Sequence, residues 1–297
     1  MNQGKMANHT LFELHIIITA EDHHQGLTVI DALVRECNIK NITLSKADIK
    51  SAISKGALWL TKAKHTSRVR RLKKVLTAQD SLHFYYNEAV LNLEPPVAKL
   101  IADLTDYSVW YKPYGMLSQG SKWSEHCTIA RFAQLNLTPE RPVFIVHRLD
   151  RAATGLILVA HSKKAARLLS LMFEQHALEK HYQIIVQGDH SLRSQPDIIT
   201  SQVDGKSACS TFNFQAFSQK TNRSLIDVKI ESGRKHQIRI HANSIGYPVV
   251  GDRLHGNIDN KETNINLQLC AKSLAFICPI TNEQRAFELT DDLSLSL

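Results

Sequence analysis

"VHRLDRAATGLILVA", residues 146–160, sets His147, Arg148, Asp150 and Arg151 directly against an apolar run that opens at Gly155. The run GLILVA lacks the alternation of a half-buried strand, so it reads as a strand covered on both faces. Charges in a loop that feeds such a strand are commonly solvated surface. The sharper reading is that Asp150 is a carboxylate fixed beside the strand for nucleophilic or acid–base work. This stretch alone does not decide between the two.

Working outward, helical and strand periodicities intermix. "YSVWYKPYG" (107–115) predicts a strand and a turn, "TIARFAQLN" (128–136) a helix, and "KKAARLLSLMFEQHA" (163–177) an amphipathic helix with Ala166, Leu169 and Phe173 on one side. "KHYQIIVQG" (180–188), "ACSTFNFQAFS" (208–218) and "RSLIDVKIES" (223–232) predict strands. Trp110 and Met116 are expected in the core. The expected class is α+β, with a central mixed, largely antiparallel sheet that carries a cleft.

A second charged cluster lies in "GRKHQIRIHANSIGYPVVGD" (233–252). Read as a strand that later turns into a helix, it places Gln237, Arg239 and His241 on one face and turns Ile238 and Ile240 to the core. Arg239 is then a fixed cation that keeps Asp150 ionised at the floor of the cleft. Asp252 is expected to cap a turn. His147, His236 and His241 lack the spacing and third partner of a metal site, so no metal is expected.

The N-terminal third is organised differently. "LFELHIIIT" (11–19), "ALWLT" (57–61) and "SLHFYYN" (81–87) predict strands; "TVIDALVREC" (28–37) and "SKADIKSAISK" (45–55) predict helices, the second capped by Ser45 and ended by Gly56. The basic stretch "KAKHTSRVRRLKK" (62–74) contains no acidic residue. Pro95 and Pro96 suit a linker. Two domains are therefore expected, 1–94 and 95–297.

Across 297 residues, 36 Lys and Arg stand against 28 Asp and Glu, a formal charge of +8 that favours a polyanionic partner. The five cysteines form no C-x-x-C pair, which suits a reducing compartment without structural zinc. The apolar part of the N-terminus is short and interrupted for a signal peptide, and no run approaches the ~20 residues of a membrane span. A cytoplasmic protein is expected.

Four elements in order carry a resemblance: "KPYG" (112–115), "HRLDRAATG" (147–155), "EKHYQIIVQG" (179–188) and "GRKHQIRIH" (233–241). Together they resemble the RluA-type pseudouridine synthases. The first domain more loosely resembles the RNA-binding module first named in ribosomal protein S-four. The resemblance implies a pseudouridine synthase fold, with Asp150 as the catalytic aspartate, Arg148 as the neighbour that holds a flipped-out nucleotide, Tyr182 as the tyrosine packed on the target base and Arg239 as the arginine paired with the aspartate. It also implies that Lys46, Lys50, Lys55, Arg68, Arg70, Arg71, Lys73 and Lys74 face RNA phosphates. Ala152, Ala153, Thr154, Lys235 and Tyr247 depart from the family's usual residues, as does Gln79 in the first domain.

The implied reaction is isomerisation of uridine to pseudouridine in a structured ribosomal or transfer RNA, by an isomerase without cofactor that works as a monomer. Detaching uracil and reattaching it through carbon needs a carboxylate, an aromatic platform and no redox step. The rival readings are an RNA-binding or ribosome-assembly factor with little turnover on the same fold, and an N-glycosidase that pairs Asp150 with a second carboxylate and releases uracil.

Overall fold

The computed structural model describes residues 10–256 and 264–297, so the first nine residues of the N-terminal segment weighed above as a leader lie outside it. Contacts divide the chain into two compact units. The first comprises the described residues up to Pro95 together with Gln119–Thr128; the second comprises Pro96–Ser118 and Ile129–Leu297.

In the first unit, β1 (Leu11–Ile17), α1 (Ala20–His24), α2 (Val29–Ile39), α3 (Lys46–Ser54), β2 (Leu58–Lys62), β3 (His65–Arg68), β4 (Ser81–Asn87) and α4 (Glu88–Leu91) follow one another. The antiparallel sheet has the order β1-β4-β2-β3. Alternation works as the sequence predicts: Leu58 and Leu60 of β2 and Leu82 and Phe84 of β4 share one core with Leu33 of α2 and Ile49 and Ile53 of α3. Ser45 caps α3 in a reciprocal box with Asp48. Thr19 and Asp22 form the same box at α1, and the Arg35 guanidinium with the Thr19 backbone holds the Asp22 carboxyl down at about 2 against its burial.

A boundary at Pro95 and Pro96 places residues 119–128 in the second domain. Side chains distant in sequence tie this segment to the first unit instead. Arg68 bonds Glu125 at 2.5 Å and the Gly56 carbonyl at 2.6 Å, Trp59 Nε1 donates to the Lys122 carbonyl at 3.0 Å, and the Trp123 ring meets Tyr85 edge-on. Arg70 also pairs with Glu125.

The second unit contains β5 (Lys99–Asp103), β6 (Tyr107–Lys112), α5 (Ile129–Asn136), β7 (Phe144–Ile145), β8 (Thr154–Ala160), α6 (Lys163–Glu174), β9 (Glu179–Gln187), β10 (Asp197–Val203), β11 (Lys206–Ser218), β12 (Arg223–Ile230), α7 (Gln237–Ser244), β13 (Leu269–Ile277) and β14 (Gln284–Glu288). Its sheet has the order β10-β11-β12-β9-β13-β8-β6-β5, with β14 on β13 and β7 on β8. The β13–β8 pairing is parallel and the others are antiparallel.

Strand β8 explains its own apolar run. Leu156 and Leu158 enter a core completed by Leu169 and Met172 of α6, while Ile157 and Val159 enter one completed by Ile129 and Ala133 of α5. Parallel contact is confined to Thr154 with Cys270 and Gly155 with Ala271. Gly155 has φ +108°, and a Cβ there would lie 2.3 Å from the Ala271 carbonyl oxygen, so glycine permits both the backbone conformation and the strand approach.

One local expectation fails. Residues 237–244 are helical from their first residue, not a strand that later turns. His236, at φ 57° and ψ 18°, redirects the chain, and Ile238 and Ala242, four apart, enter the core. The Ile238–Ile240 alternation mimicked period two. The buried polar residues that a strand would have aligned are satisfied individually: Gln237 by Ser232, Cys209 and Ser210, and His241 by Ser201 and Ser210.

Candidate active site

Asp150 lies in the loop that enters β8, and a local turn follows it, with Ala153 N donating to the Asp150 carbonyl at 3.1 Å. The "KPYG" turn fastens this loop from below. Lys112, fully buried, directs its Nζ at four carbonyls: Met116 at 3.0 Å, Pro113 at 3.3 Å, Arg151 at 3.5 Å and Ala153 at 2.5 Å. Burial pulls the Lys112 pKa down to about 7, and the Asp150 charge opposes that shift. Ser118 clamps Leu149 from both sides, donating to its carbonyl at 2.8 Å and accepting from its N–H at 3.0 Å.

From α7, Arg239 reaches Asp150 Oδ2 through Nη1 at 3.3 Å. Its stronger engagement is with Asp252, through Nε at 2.8 Å and Nη2 at 2.5 Å. Burial works against the Arg239 cation, yet its bonds to Asp252 and Asp150 hold its pKa above the ordinary value. Burial alone would raise the Asp252 carboxyl; the Arg239 bonds and the N–H groups of Leu254 and His255 outweigh it and lower the pKa. Asp252 thus caps a turn, as expected, and also anchors the arginine.

Tyr182 of β9, Asp150, Arg148, Arg234, His236 and Arg239 line one cavity of about 80 Å³ floored by apolar Leu149, Ile230, Ile238 and Leu269. Burial, then the Asp150 charge, raises the Tyr182 pKa, so its phenol stays neutral. His236 Nε2 lies 3.6 Å from Asp150 Oδ2, and its Nδ1 is within hydrogen-bond distance of His255 Nε2 at 2.9 Å. The side chain of Asp150 is 31% exposed and lines the cavity, and no hydrogen bond to its Oδ1 is found among the described residues.

The other histidines singled out in the sequence serve the fold. His147 Nε2 accepts the Leu158 N–H at 3.0 Å, filling the gap between the β7 and β13 pairings on β8, and its ring stacks on Phe173 at 4.1 Å. Burial, assisted by the Lys180 charge, depresses the His147 pKa to about 3, so it stays neutral. Tyr247 bonds the Asp189 carbonyl, and Ala153 is packed in the core.

The residues offered for RNA in the first unit divide into two groups. Lys46, Lys50, Arg71 and Lys73 are exposed and Lys74 is half-buried. Lys55 donates to the Leu91 carbonyl at 2.6 Å, and Arg68 and Arg70 engage Glu125 within the unit.

A family profile described as RNA pseudouridylate synthase matches residues 106–244, which include Asp150, Tyr182 and Arg239. A "tRNA pseudouridine synthase C" of Vibrio parahaemolyticus is 30% identical over 209 residues, 61% of this chain and 85% of that one. The chain belongs to the RNA pseudouridylate synthase family. A "Ribosomal large subunit pseudouridine synthase D" of Zymomonas mobilis is 33% identical over 172 residues; the match covers 51% of this chain and only 54% of that relative's length. The solved "Human RNA Pseudouridylate Synthase Domain Containing 1" shares the fold, with a TM-score of 0.55 at 20% identity over 67% of this chain and 86% of that one.

For this RNA pseudouridylate synthase family member, the sequence reading missed four contributors to the cleft: the Lys112 ammonium, Ser118, the Asp252 clamp and the His236–His255 pair. Lys112 could have been found as the lone cation in an otherwise apolar strand, "YSVWYK". The Asp252 clamp could not, because thirteen residues and a helix separate it from Arg239.

Proposed function

We propose that this protein isomerises uridine to pseudouridine in structured RNA, with Asp150 acting on the ribose–base junction inside the cavity it shares with Tyr182. The observation that carries this reading is the partly exposed Asp150 carboxylate, held through Oδ2 by Arg239 in a cavity it shares with the Tyr182 ring. In the reaction the N1–C1′ bond breaks, the C5–C1′ bond forms, the C5 proton leaves and N1 gains a proton. No oxidant or external group enters. Asp150 supplies the negative charge that engages the junction, Tyr182 carries the face of the extruded base, and Arg148 at the rim meets the displaced backbone. Extrusion costs a few kcal/mol of unstacking, offset by the ring contact and by basic contacts to phosphates.

A hydrolytic role is disfavoured because Asp252, the second carboxylate, is clamped by Arg239 and does not line the cavity. The named relatives act on transfer RNA or large-subunit ribosomal RNA, and this chain's substrate is assigned to the same two classes. The first unit presents Lys46, Lys50, Arg71 and Lys73 to RNA phosphates, supplying affinity without base reading. No helix among the described residues is long and apolar enough to cross a membrane.

The test is incubation with total RNA tritiated at uracil carbon five from cells lacking the gene. Released tritium with uracil retained supports the isomerase. Free uracil would establish the glycosidase, and no release from any RNA pool would leave an RNA-binding factor.

A further inference from the structure

Beside the Asp150 cavity lies a larger, open one of about 640 Å³ that shares Arg148, Asp150, Tyr182, Gly233 and Arg234 with it. Lys180 lines the larger cavity. It stands two residues before Tyr182 on β9, so the two side chains leave the same face of the strand about 7 Å apart. Lys180 is only 6% exposed, yet its Nζ has neither a carboxylate nor a hydrogen-bond partner among the described residues. A Cβ built on Gly233 would lie 3.8 Å from that Nζ, so the ammonium sits against the bare backbone of Gly233 with room left around it.

A buried ammonium without a partner is costly, and proteins resolve the cost with a counter-ion, a ligand or a lowered pKa. Burial does pull the Lys180 pKa down, and no nearby carboxylate offsets it. Arg148, Arg234 and Lys235 also line this cavity, against the carboxylates of Asp150 and Glu174. The surplus is positive, and Lys180 is the most buried of these cations.

We propose that Lys180 is a phosphate-binding residue: its ammonium, with Arg148 and Arg234 at the rim, takes a backbone phosphodiester of the substrate RNA next to the uridine that Tyr182 receives. The spacing fits, since one nucleotide of extended backbone spans the distance between neighbouring strand positions on one face. Binding supplies the missing counter-charge only when RNA is seated, so the contact couples backbone docking to base entry. This assignment rests on the Asp150 cleft being the uridine site.

The experiment uses the full chain and tritiated total RNA, comparing the parent with Lys180→Met, Lys180→Arg and Asp150→Asn. Single-turnover tritium release is followed against enzyme concentration and salt, and binding of the same RNA is followed by filter retention. Lys180→Met should raise the half-saturating concentration about ten-fold and reduce the log–log salt slope by about 0.7–0.9, the value of one phosphate contact. Its limiting rate should change little, and its thermal stability should hold or rise because an unpaired buried charge is replaced by an apolar chain of similar length. Lys180→Arg should restore most of the slope.

An unchanged half-saturation and slope in Lys180→Met would overturn the proposal, as would a loss confined to the limiting rate. Stabilisation of the parent by inorganic phosphate at millimolar concentration, with RNA half-saturation unaffected by Lys180→Met, would assign the site to a free anion and overturn the RNA contact. Full turnover by Asp150→Asn would instead refute the cleft assignment, an outcome separable from every Lys180 result.

Discussion

Arg239 grips Asp252 through two short hydrogen bonds and reaches Asp150 through one longer one. The guanidinium is therefore a spacer: Asp252, buried and fixed by the Leu254 and His255 N–H groups, sets the position from which Arg239 addresses Asp150. A lysine offers a point charge but no planar fork. Arg239→Lys should keep the protein folded and lower kcat about a hundred-fold, the scale of a 1 Å misplacement. Asp252→Ala leaves a buried guanidinium half-paired and should cost about 3–5 kcal/mol in urea unfolding. Equal stability of parent and Asp252→Ala would refute the spacer role.

Asp150→Asn removes charge and little shape. Tritium release should disappear while RNA affinity, measured by filter retention, stays within about three-fold of the parent, since affinity resides in phosphate contacts. Turnover near the parent level would remove Asp150 from the reaction.

Gly155→Ala confronts both the positive φ and the Ala271 backbone. We expect a loss of about 4 kcal/mol or more, or failure to accumulate soluble protein. An unchanged urea midpoint would show that β13 and β8 separate more readily than their pairing implies.

Acid should weaken both units through buried histidines, His83 and His126 in the first and His147 foremost in the second. His147 has a folded pKa of about 3 against an unfolded value near 6.5, so between these limits the unfolded chain holds the extra proton. Stability of the second unit should be full above that window and fall as pH descends through it, and the buried His161, His190 and His241, all lowered by burial, act with the same sign. Asp22 in the first unit, held at about 2, contributes stability above the ordinary carboxylate pKa of 3.8 and loses it as pH falls toward 2. Trp110 reports the second unit and Trp59 and Trp123 the first, so single-tryptophan variants followed by fluorescence report each unit by itself. His147→Gln, which can still accept the Leu158 N–H, should reduce the acid-induced loss by at least about 1 kcal/mol. An acid-induced loss in the second unit unchanged by His147→Gln would contradict this assignment.

Replacing Arg71, Lys73 and Lys74 together by Gln should weaken RNA binding and flatten the log–log salt slope by about 2–3. Replacing Arg68 should mainly destabilise the first unit, because its guanidinium is engaged with Glu125 and Gly56. A salt slope unchanged by the triple variant would make the basic stretch ordinary surface.

The sequence by itself determined the α+β class, the strands and helices with clean periodicity, and the stretches that carry Asp150, Tyr182 and Arg239. Each follows from local rules: alternation on β4, an N-cap at Ser45, an uninterrupted apolar run on β8. It misjudged α7, because two isoleucines spaced by two satisfy a strand pattern while the core selects Ile238 and Ala242. Only the tertiary structure decided that Gln119–Thr128 belongs with the first unit, that Asp252 rather than Asp150 is the firmer partner of Arg239, and that Lys112 and Lys180 are buried cations with opposite surroundings. Lys112 is ringed by carbonyls, whereas Lys180 faces a cavity. The reason is physical: backbone periodicity is written in neighbouring residues, but a buried charge takes its meaning from partners that the chain brings back from a distance.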